Sequence, residues 1–258
     1  MSANNLQETM QSAYRKCHST ETALIRVQHD LIQDLSQQRA CLLVLLDLSA
    51  VFDTVDHQEL LRVLRSMGVD GLALRWFRSY LEGREQVITI KSHASNPYPI
   101  TSGVPQGSVL GPILFTAYTA SLGTLLTQHS MKYSFYADDS SVYVSFEPSD
   151  LQGAITDVER CIAAVKNWMA TKSLKMNDSK TDVILLSTPR IRRDIPGVVT
   201  VMMGDTQVEA RDAVRTLYRH PARPTPEHGT TNLCFVSQLP SSPLQHYAHP
   251  QIPHQSSL

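Results

Sequence analysis

The sequence predicts an α/β fold, and three patterns carry this prediction. Residues 41–48 form a continuous apolar run, CLLVLLDL, which is typical of a strand buried on both faces. Residues 132–146 place aromatic and β-branched residues on either side of a short turn, as a β-hairpin does. Between Ile155 and Met169, apolar residues recur at steps of three and four, which indicates an amphipathic helix. Strands and helices therefore mix along a chain of 258 residues, enough for one large domain or two small ones.

The other elements follow from the same patterns. Helical spacing predicts helices over residues 19–38, 56–67, 72–81 and 112–126. Asp56 followed by Glu59 is a capping-box pattern that opens the second of these, and Gly68 is its predicted end. Strands are predicted over residues 86–91 and 183–186, and a second hairpin over residues 198–210 turns at Gly204 and Asp205. The segment TSGVPQGS, residues 101–108, is predicted to be a loop before a helix.

The C-terminal segment, residues 211–258, differs in composition from the rest. It holds seven of the 14 prolines and five of the ten histidines, and it contains no lysine. Prolines at this density remove backbone donors and interrupt regular elements. We therefore expect residues 1 to about 210 to fold and the tail, residues 211–258, to be mostly disordered.

The composition limits the classes of function. A formal net charge of −1 does not suggest a strong free-standing nucleic-acid binder, although a local cleft can still be charged. The four cysteines stand singly, which predicts reduced intracellular thiols rather than a disulfide framework or a zinc site. The N-terminal residues contain no signal-peptide core, and the longest apolar run is far too short to span a membrane. The prediction is an intracellular globular protein with no membrane partner.

Two adjacent aspartates, Asp138 and Asp139, stand at the turn of the predicted hairpin. Asp favours turns, and that explanation stays open. The bulky residues before the pair, Tyr133, Phe135 and Tyr136, predict a turn that is only half exposed. Adjacent carboxylates in a partly dry site repel each other. A multivalent cation removes this conflict, and Mg²⁺ prefers carboxylate oxygens together with substrate phosphates.

Asp47 is the candidate for a third carboxylate. It ends the apolar run, and a charge at the end of a buried strand is where parallel-sheet enzymes place their sites. A plain helix cap or strand terminator is the alternative explanation. Together with the aspartate pair roughly ninety residues later, Asp47 can place three carboxylates around two ions. That arrangement activates an attacking hydroxyl and stabilises a leaving pyrophosphate.

Five sequence blocks together resemble the reverse transcriptase domain of retrotransposons that lack long terminal repeats. In chain order they are QSAYRKCHSTETAL, LLDLSAVFDTVDH, SGVPQGSVLGPILF, FYADD and LKMNDSKTDVILL. A bare YxDD occurs often by chance, but all five blocks in this order are highly specific. The resemblance covers about residues 11–203. It implies a right-hand polymerase palm over residues 39–210, preceded by a residual fingers segment on the template side at residues 1–38.

The resemblance also implies catalytic roles. Asp47, Asp138 and Asp139 match the aspartates that bind the catalytic metal ions. Lys180 matches a lysine that could protonate or neutralise the leaving pyrophosphate, although a solvated loop lysine is the simpler explanation. Phe52 matches an aromatic gate whose flat ring excludes a 2′-hydroxyl and so favours deoxynucleotides. Core packing of Phe52 is an alternative, and both can hold.

The loop SGVPQGS matches the segment of the family that faces the nucleotide. There the resemblance implies that Gln106 touches the incoming nucleotide or the template. Gly103 and Gly107 would permit close approach of the backbone. Tyr136, the first residue of the YxDD block, is a further candidate for nucleotide binding.

The first block matches a family segment near the template strand. Contacts to phosphate or sugar are implied for Arg15, His18, Ser19 and Thr20. Helix N-capping by Ser19 or Thr20 is an equally open alternative.

The implied activity is RNA-directed DNA synthesis by two-metal nucleotidyl transfer. With two Mg²⁺ or Mn²⁺ ions as cofactors, the primer 3′-hydroxyl attacks the α-phosphate of a deoxynucleotide, and pyrophosphate leaves. The implied partners are an RNA template, a DNA primer and a dNTP, while protein partners stay unknown. A nuclear location is suggested by the family only.

The sequence departs from the family pattern at both ends. Only about ten residues precede QSAYR, where the family carries finger strands, and the Pro/His-rich tail stands where a thumb is expected. We therefore expect a truncated domain with partial fingers and no thumb, and a tail that arose out of frame or by splicing in a decayed element. A second hypothesis follows: a catalytically inactive retrotransposon remnant that at most binds RNA or a partner.

Overall fold

The computed structural model describes residues 8–49, 51–105, 107–195 and 197–214, all within one unit, Met1–Leu217. The helices are α1 (Thr20–Ser36), α2 (Val51–Thr54), α3 (His57–Ser66), α4 (Gly71–Leu81), α5 (Leu110–Thr119), α6 (Ser121–Gln128), α7 (Leu151–Thr171) and α8 (Pro189–Asp194). The strands are β1 (Ala40–Leu46), β2 (Leu48–Ser49), β3 (Arg84–Gln86), β4 (Thr89–Ile90), β5 (His93–Ala94), β6 (Tyr98–Ile100), β7 (Lys132–Tyr136), β8 (Asp139–Phe146), β9 (Lys175–Met176), β10 (Asp182–Ser187), β11 (Thr200–Met203), β12 (Thr206–Glu209) and β13 (Arg211–Val214). Short 3-10 turns cover Pro148–Asp150 and Asp178–Lys180.

A five-stranded sheet in the order β13-β10-β1-β8-β7 forms the centre of the fold. The predicted central strand is β1, which pairs with β8 on one side and β10 on the other. Both pairings are antiparallel, so the parallel-sheet argument for the position of Asp47 was wrong. Only the β10–β13 pair runs parallel among the described strands of this sheet.

Both faces of β1 are covered, which explains its continuous apolar run. Ala40, Leu42, Val44 and Leu46 alternate onto the face that joins the main core together with side chains of α3, α5 and α7. Cys41 and Leu43 point to the other face, on which α1 packs. This second face becomes partly exposed at Leu45 and Asp47, towards the end of the strand.

The predicted hairpins and most predicted helices are confirmed. The strands β7 and β8 form the first hairpin, and β11 and β12 form the second. The Asp56 side chain accepts a hydrogen bond from Glu59 N at 2.7 Å and thereby caps α3. The predicted helix 112–126 is instead divided into α5 and α6, which meet at Ala120.

The predicted strand at residues 86–91 was wrong. The structure has two short ribbons there, in which β3 pairs with β6 and β4 pairs with β5. The chain turns back at Lys91, whose φ is 56°. Val87, Ile88 and Ile90 are 49%, 65% and 68% exposed, so the alternation in this segment does not mark a face buried in the core.

The boundary predicted at residue 211 also needs correction. Arg211–Val214 belongs to the sheet as β13 and pairs with β10. Four residues at a sheet edge are too few for composition to reveal them. The predicted tail from residue 215 onward lies outside the described residues.

One described stretch, Leu110–Gln128, is long and apolar enough to cross a membrane by length and composition. Half of it is buried inside the fold, with Phe115, Tyr118 and Leu126 wholly enclosed. Core helices pass the same test, and α5 and α6 contribute these side chains to the main core.

Candidate active site

Asp47 and the aspartate pair meet at one end of the central sheet. Leu46, the last residue of β1, pairs with Ser140 of β8. Extending this register by one residue places Asp47 opposite Asp139, on the side of the sheet that α1 leaves partly exposed. Asp138 lies in the two-residue turn between Tyr136 and Asp139, which pair with each other. The antiparallel register therefore gathers the three predicted carboxylates.

The electrostatics of the three aspartates are those of a crowded, partly buried site. Burial first, and then the charges of Asp138 and Asp47, together raise the pKa of Asp139 from 3.8 to about 6. The pKa of Asp138 is also raised, chiefly by burial and then by the charge of Asp47. Asp138 and Asp139 thus resist ionisation at this site, and positive charge at this end of the sheet would stabilise their ionised forms.

Lys180 supplies one positive charge to this cluster. Its Nζ lies 3.5 Å from Asp47 Oδ2, and its side chain is 68% exposed. The 3-10 turn that carries Lys180 is tied to the strand end, because Asn177 N donates a hydrogen bond to Asp47 O at 3.0 Å. The structure therefore places the predicted lysine beside the predicted aspartate.

The carboxylates at this end of the sheet are of the chemical type that binds divalent cations. Among the described residues, no group of three or more His, Cys, Asp or Glu side chains is close enough together to hold a metal ion. Carboxylate oxygens are the ligands that Mg²⁺ prefers, and it usually keeps waters and substrate phosphates as its other ligands. Burial is the main cause of the two raised pKa values and repulsion between the carboxylates adds to it, and a bound cation would offset both by stabilising the ionised forms.

Phe52 packs against the core and is partly exposed. Its ring centroid is 4.7 Å from that of Phe115, and the side chain is partly buried against the core. Core packing is therefore part of its role. The gate role is compatible with its partial exposure and stays a prediction.

Backbone hydrogen bonds hold the start of the loop TSGVPQGS against the α2 segment. Val104 N donates to Phe52 O at 2.7 Å, and Gly103 N donates to Val55 O at 2.8 Å. Gly103 has φ +87°, and a Cβ there would lie 2.9 Å from Asp53 O, so only glycine fits without a shift. Buried His57 donates from Nε2 to Gly103 O at 2.7 Å, since a carbonyl oxygen can only accept.

The second half of this loop leads into α5. Ser108 Oγ accepts a hydrogen bond from Gly111 N at 2.9 Å and donates one to Pro105 O at 2.7 Å. Gly107 has φ +75°, and the space where a Cβ would stand is open. The protein backbone therefore packs closely against Gly103 and not against Gly107, and close approach of a nucleotide to either glycine stays a prediction. Gln106 lies outside the described residues.

Sequence reasoning did not select the residues beside this loop. A cavity of about 580 Å³ is lined by Asp53, by loop residues 101–105 and by five residues of the β3–β6 ribbon: Arg84, Gln86, Tyr98, Pro99 and Ile100. Tyr136, which was predicted, is partly exposed and pairs with Asp139. The sequence predicted one strand over residues 86–91 and therefore did not predict the β3–β6 ribbon. No other feature of the sequence indicated a role for Arg84.

Three of the four predicted template residues, Arg15, His18 and Ser19, make local hydrogen bonds. Ser19 caps α1, because its Oγ accepts from Thr22 N at 3.3 Å and its N–H donates to Thr22 Oγ1 at 2.8 Å. Arg15 donates to Thr9 O at 3.1 Å, and His18 Nδ1 lies 3.0 Å from Lys16 O. The capping alternative is thus observed for Ser19. Thr20 is the first residue of the helix. Template contact by these residues stays a prediction.

A family model described as reverse transcriptase (RNA-dependent DNA polymerase) matches residues 1–222. The chain belongs to the reverse transcriptase family. The relatives of this reverse transcriptase chain include an RNA-directed DNA polymerase from the mobile element jockey of Drosophila funebris, 28% identical over 193 residues and 73% of the chain. A probable RNA-directed DNA polymerase from transposon BS of Drosophila melanogaster is 28% identical over 182 residues and 66% of the chain. The predicted resemblance to retrotransposon enzymes is confirmed.

The reverse transcriptase chain spans about a fifth of the length of these curated relatives, 20% of the first and 19% of the second. Among solved structures, an apo telomerase from Candida tropicalis superposes with a TM-score of 0.54 at 13% identity. That match covers 68% of this chain and 36% of the telomerase chain. The similarity concerns the fold and confirms the mixed α/β polymerase palm.

Proposed function

We propose that this chain is the palm of an RNA-directed DNA polymerase, and that Asp47, Asp138 and Asp139 hold the divalent cations of nucleotidyl transfer. The observation that carries the proposal is the convergence of the three carboxylates at one sheet end, with raised pKa values for Asp138 and Asp139. Reverse transcriptases generally use divalent metal ions. Bound there, two Mg²⁺ or Mn²⁺ ions would supply Lewis acidity to the primer 3′-hydroxyl and to the phosphates of the dNTP.

The chain itself would contribute position and charge. The β1 end and the β7–β8 turn hold the carboxylates on a sheet that is rigid because both its faces are packed. Lys180, at 3.5 Å from Asp47 and exposed, can turn towards a pyrophosphate and offset its charge. Such fixed charges act on the transition state without having to reorganise.

The loop and Phe52 would shape the nucleotide side of the site. His57 and two backbone hydrogen bonds fix Gly103 and Val104 against the Phe52–Val55 backbone. The Phe52 ring, packed on Phe115, then has little freedom to move away from an incoming sugar. The template would be an RNA strand, in keeping with the names of the relatives, and the primer would be a DNA strand. Template sequence would be read by base pairing, so protein affinity would come from phosphates and depend on salt.

The test is primer extension on an RNA template with a DNA primer, dNTPs and Mg²⁺ or Mn²⁺. We expect the natural chain to extend the primer and the double variant Asp138→Asn/Asp139→Asn to lose all extension, because removing both charges removes the cation site. Asp205→Asn is the matched control, since Asp205 also stands in a hairpin turn, that of β11 and β12, but is exposed. It should extend normally.

Two results contradict the proposal. Extension by the double variant at the natural rate would show that the aspartate pair holds no catalytic ion. Absence of extension by a folded natural chain would favour the second hypothesis, an inactive remnant, and filter binding to the same RNA would then decide whether it still binds nucleic acid.

A further inference from the structure

Gln11 is a buried amide at the turn of the β7–β8 hairpin. Residues 10–12 run beside β7, where Ser12 N donates to Phe135 O at 2.9 Å and Phe135 N donates to Met10 O at 3.1 Å. Gln11 itself is 3% exposed. A polar side chain so far from water must find its hydrogen-bond partners inside the protein.

Both polar atoms of the Gln11 amide bind the backbone of one residue, Ala137. Gln11 Oε1 accepts a hydrogen bond from Ala137 N at 3.1 Å, and Gln11 Nε2 donates one to Ala137 O at 3.2 Å. Gln11 Oε1 also accepts from Ala13 N at 3.0 Å. Two N–H donors on the oxygen and one carbonyl on the nitrogen determine the orientation of the amide.

Ala137 is the residue at which such support is needed. Its φ is 57°, in the left-handed region that residues with a Cβ rarely adopt. It stands directly before Asp138, inside the turn that also sets the position of Asp139. Any relaxation of Ala137 to an ordinary φ would turn the Asp138 carboxylate away from Asp139 and Asp47.

We infer that Gln11 is a positioning residue of the active site: by binding both backbone groups of Ala137, it holds the turn in the conformation that aims Asp138 and Asp139 at the cations. Gln11 would act through the turn, since its amide binds the backbone of Ala137 and Ala13. The inference rests on the proposed function, since it assigns Gln11 to the cation site proposed above. A carboxamide is suited to this task because it can donate and accept at once, as a peptide group does.

Gln11→Met tests the inference, because methionine has a similar length and neither polar atom. With RNA-templated primer extension by the full chain, we expect kcat to fall about tenfold, the effect of one to two lost hydrogen bonds, with little change in the KM for dNTP. A second readout is the rise in melting temperature on addition of Mn²⁺, which reports cation binding to the folded state without any turnover. This rise should shrink in Gln11→Met.

The matched control is Tyr143→Phe. Tyr143 donates to Asp30 Oδ2 at 2.6 Å from the same strand β8, four residues beyond Asp139. The Tyr143→Phe substitution removes this hydrogen bond from the hairpin and leaves the turn at Ala137 and Asp138 unchanged. We therefore expect kcat and the Mn²⁺ response to equal those of the natural chain, even if the metal-free melting temperature falls.

A rescue variant separates positioning from general stability. Glycine adopts positive φ freely, so in Gln11→Met/Ala137→Gly the turn no longer needs support to reach its conformation. We expect this double variant to recover at least part of the lost kcat and Mn²⁺ response. If Gln11→Met does not fold, a folded and active double variant supports the inference, and a double variant that also fails to fold overturns it, because Gln11 would then serve the fold as a whole.

The results distinguish this inference from the proposed function. If the natural chain extends, Asp138→Asn/Asp139→Asn does not, and Gln11→Met keeps both kcat and the Mn²⁺ response of the natural chain, the inference is overturned while the proposed function stands. If the natural chain does not extend at all, the proposed function fails, and the Mn²⁺ response alone decides the role of Gln11. An equal response in the natural chain and Gln11→Met overturns it, and a smaller response in the variant supports it.

Discussion

Replacing Asp139 by asparagine should stabilise the metal-free chain at neutral pH while abolishing its proposed activity. Burial and the charges of Asp138 and Asp47 raise the pKa of Asp139 from 3.8 to about 6. The folded state therefore binds the Asp139 proton more tightly than the unfolded state does. The ionised carboxylate destabilises the fold, and a neutral amide of the same shape removes that penalty.

The magnitude follows from the pKa. The pKa of Asp139 is about two units higher in the folded state than in the unfolded state. For a wholly buried group, this difference would lower the free energy of unfolding at neutral pH by roughly 3 kcal/mol. Asp139 is partly exposed, so solvent screening reduces the expected gain to about 1–2 kcal/mol. For a chain of this size, that raises the melting temperature by about 3–6 °C.

The assay is thermal unfolding of the full chain in EDTA at pH 7.5 and at pH 4.0, followed by circular dichroism. The contribution of Asp139 to the stability of the natural chain should be lost as pH rises from about 4 to about 6, the interval between its unfolded and folded pKa, and the comparison with Asp139→Asn isolates that contribution. At pH 4.0 Asp139 is largely protonated in the natural fold, so the advantage of Asp139→Asn should nearly vanish. Asp205→Asn, in an exposed turn, should change stability by less than about 0.5 kcal/mol at both pH values.

An equal gain in stability for Asp139→Asn at both pH values would refute this reasoning. The penalty that the substitution removes acts only on the ionised carboxylate, so it must depend on pH. A loss of stability at pH 7.5 in EDTA would also refute it. Added Mg²⁺ provides a further check, since it should raise the melting temperature of the natural chain more than that of Asp139→Asn.

Two further predictions concern the loop and the proposed gate. Gly103→Ala should lower stability by about 2–4 kcal/mol, because its Cβ would lie 2.9 Å from Asp53 O at φ +87°, whereas Gly68→Ala, at φ +85° in open space, should lose only about 1 kcal/mol in urea unfolding. Equal losses of stability in Gly103→Ala and Gly68→Ala would show that the close contact with Asp53 O does not destabilise the variant. Phe52→Ala should raise the incorporation of ribonucleotides relative to deoxynucleotides in single-nucleotide extension, and should also lower stability by about 3 kcal/mol through the lost packing on Phe115. An unchanged ratio of the two nucleotides would leave Phe52 as a core residue alone.

Local chemistry explains which parts of the fold could be predicted from sequence. The cap of α3 depends on Asp56 and Glu59, three residues apart, and the β7–β8 hairpin depends on a contiguous run. The ribbon at residues 84–100 was missed because its apolar residues are exposed, so their alternation carried no information about a core. Edge strand β13 was not predicted, because four residues are too few to show a periodic pattern of apolar residues, and their parallel pairing with β10 needs no adjacent turn that the sequence could reveal.

The sequence by itself determined the kinds of side chain at the site and the short-range elements that carry them: an aspartate at the end of an apolar strand, two more at a hairpin turn, and glycines in a loop before a helix. Only the tertiary structure decided how these meet. The antiparallel register of β1 and β8 brings Asp47 to Asp139, and Gln11 reaches Ala137 across 126 residues of chain. The reason is physical: propensity and periodicity act over a few residues, whereas register and burial are determined when distant segments pack into one core.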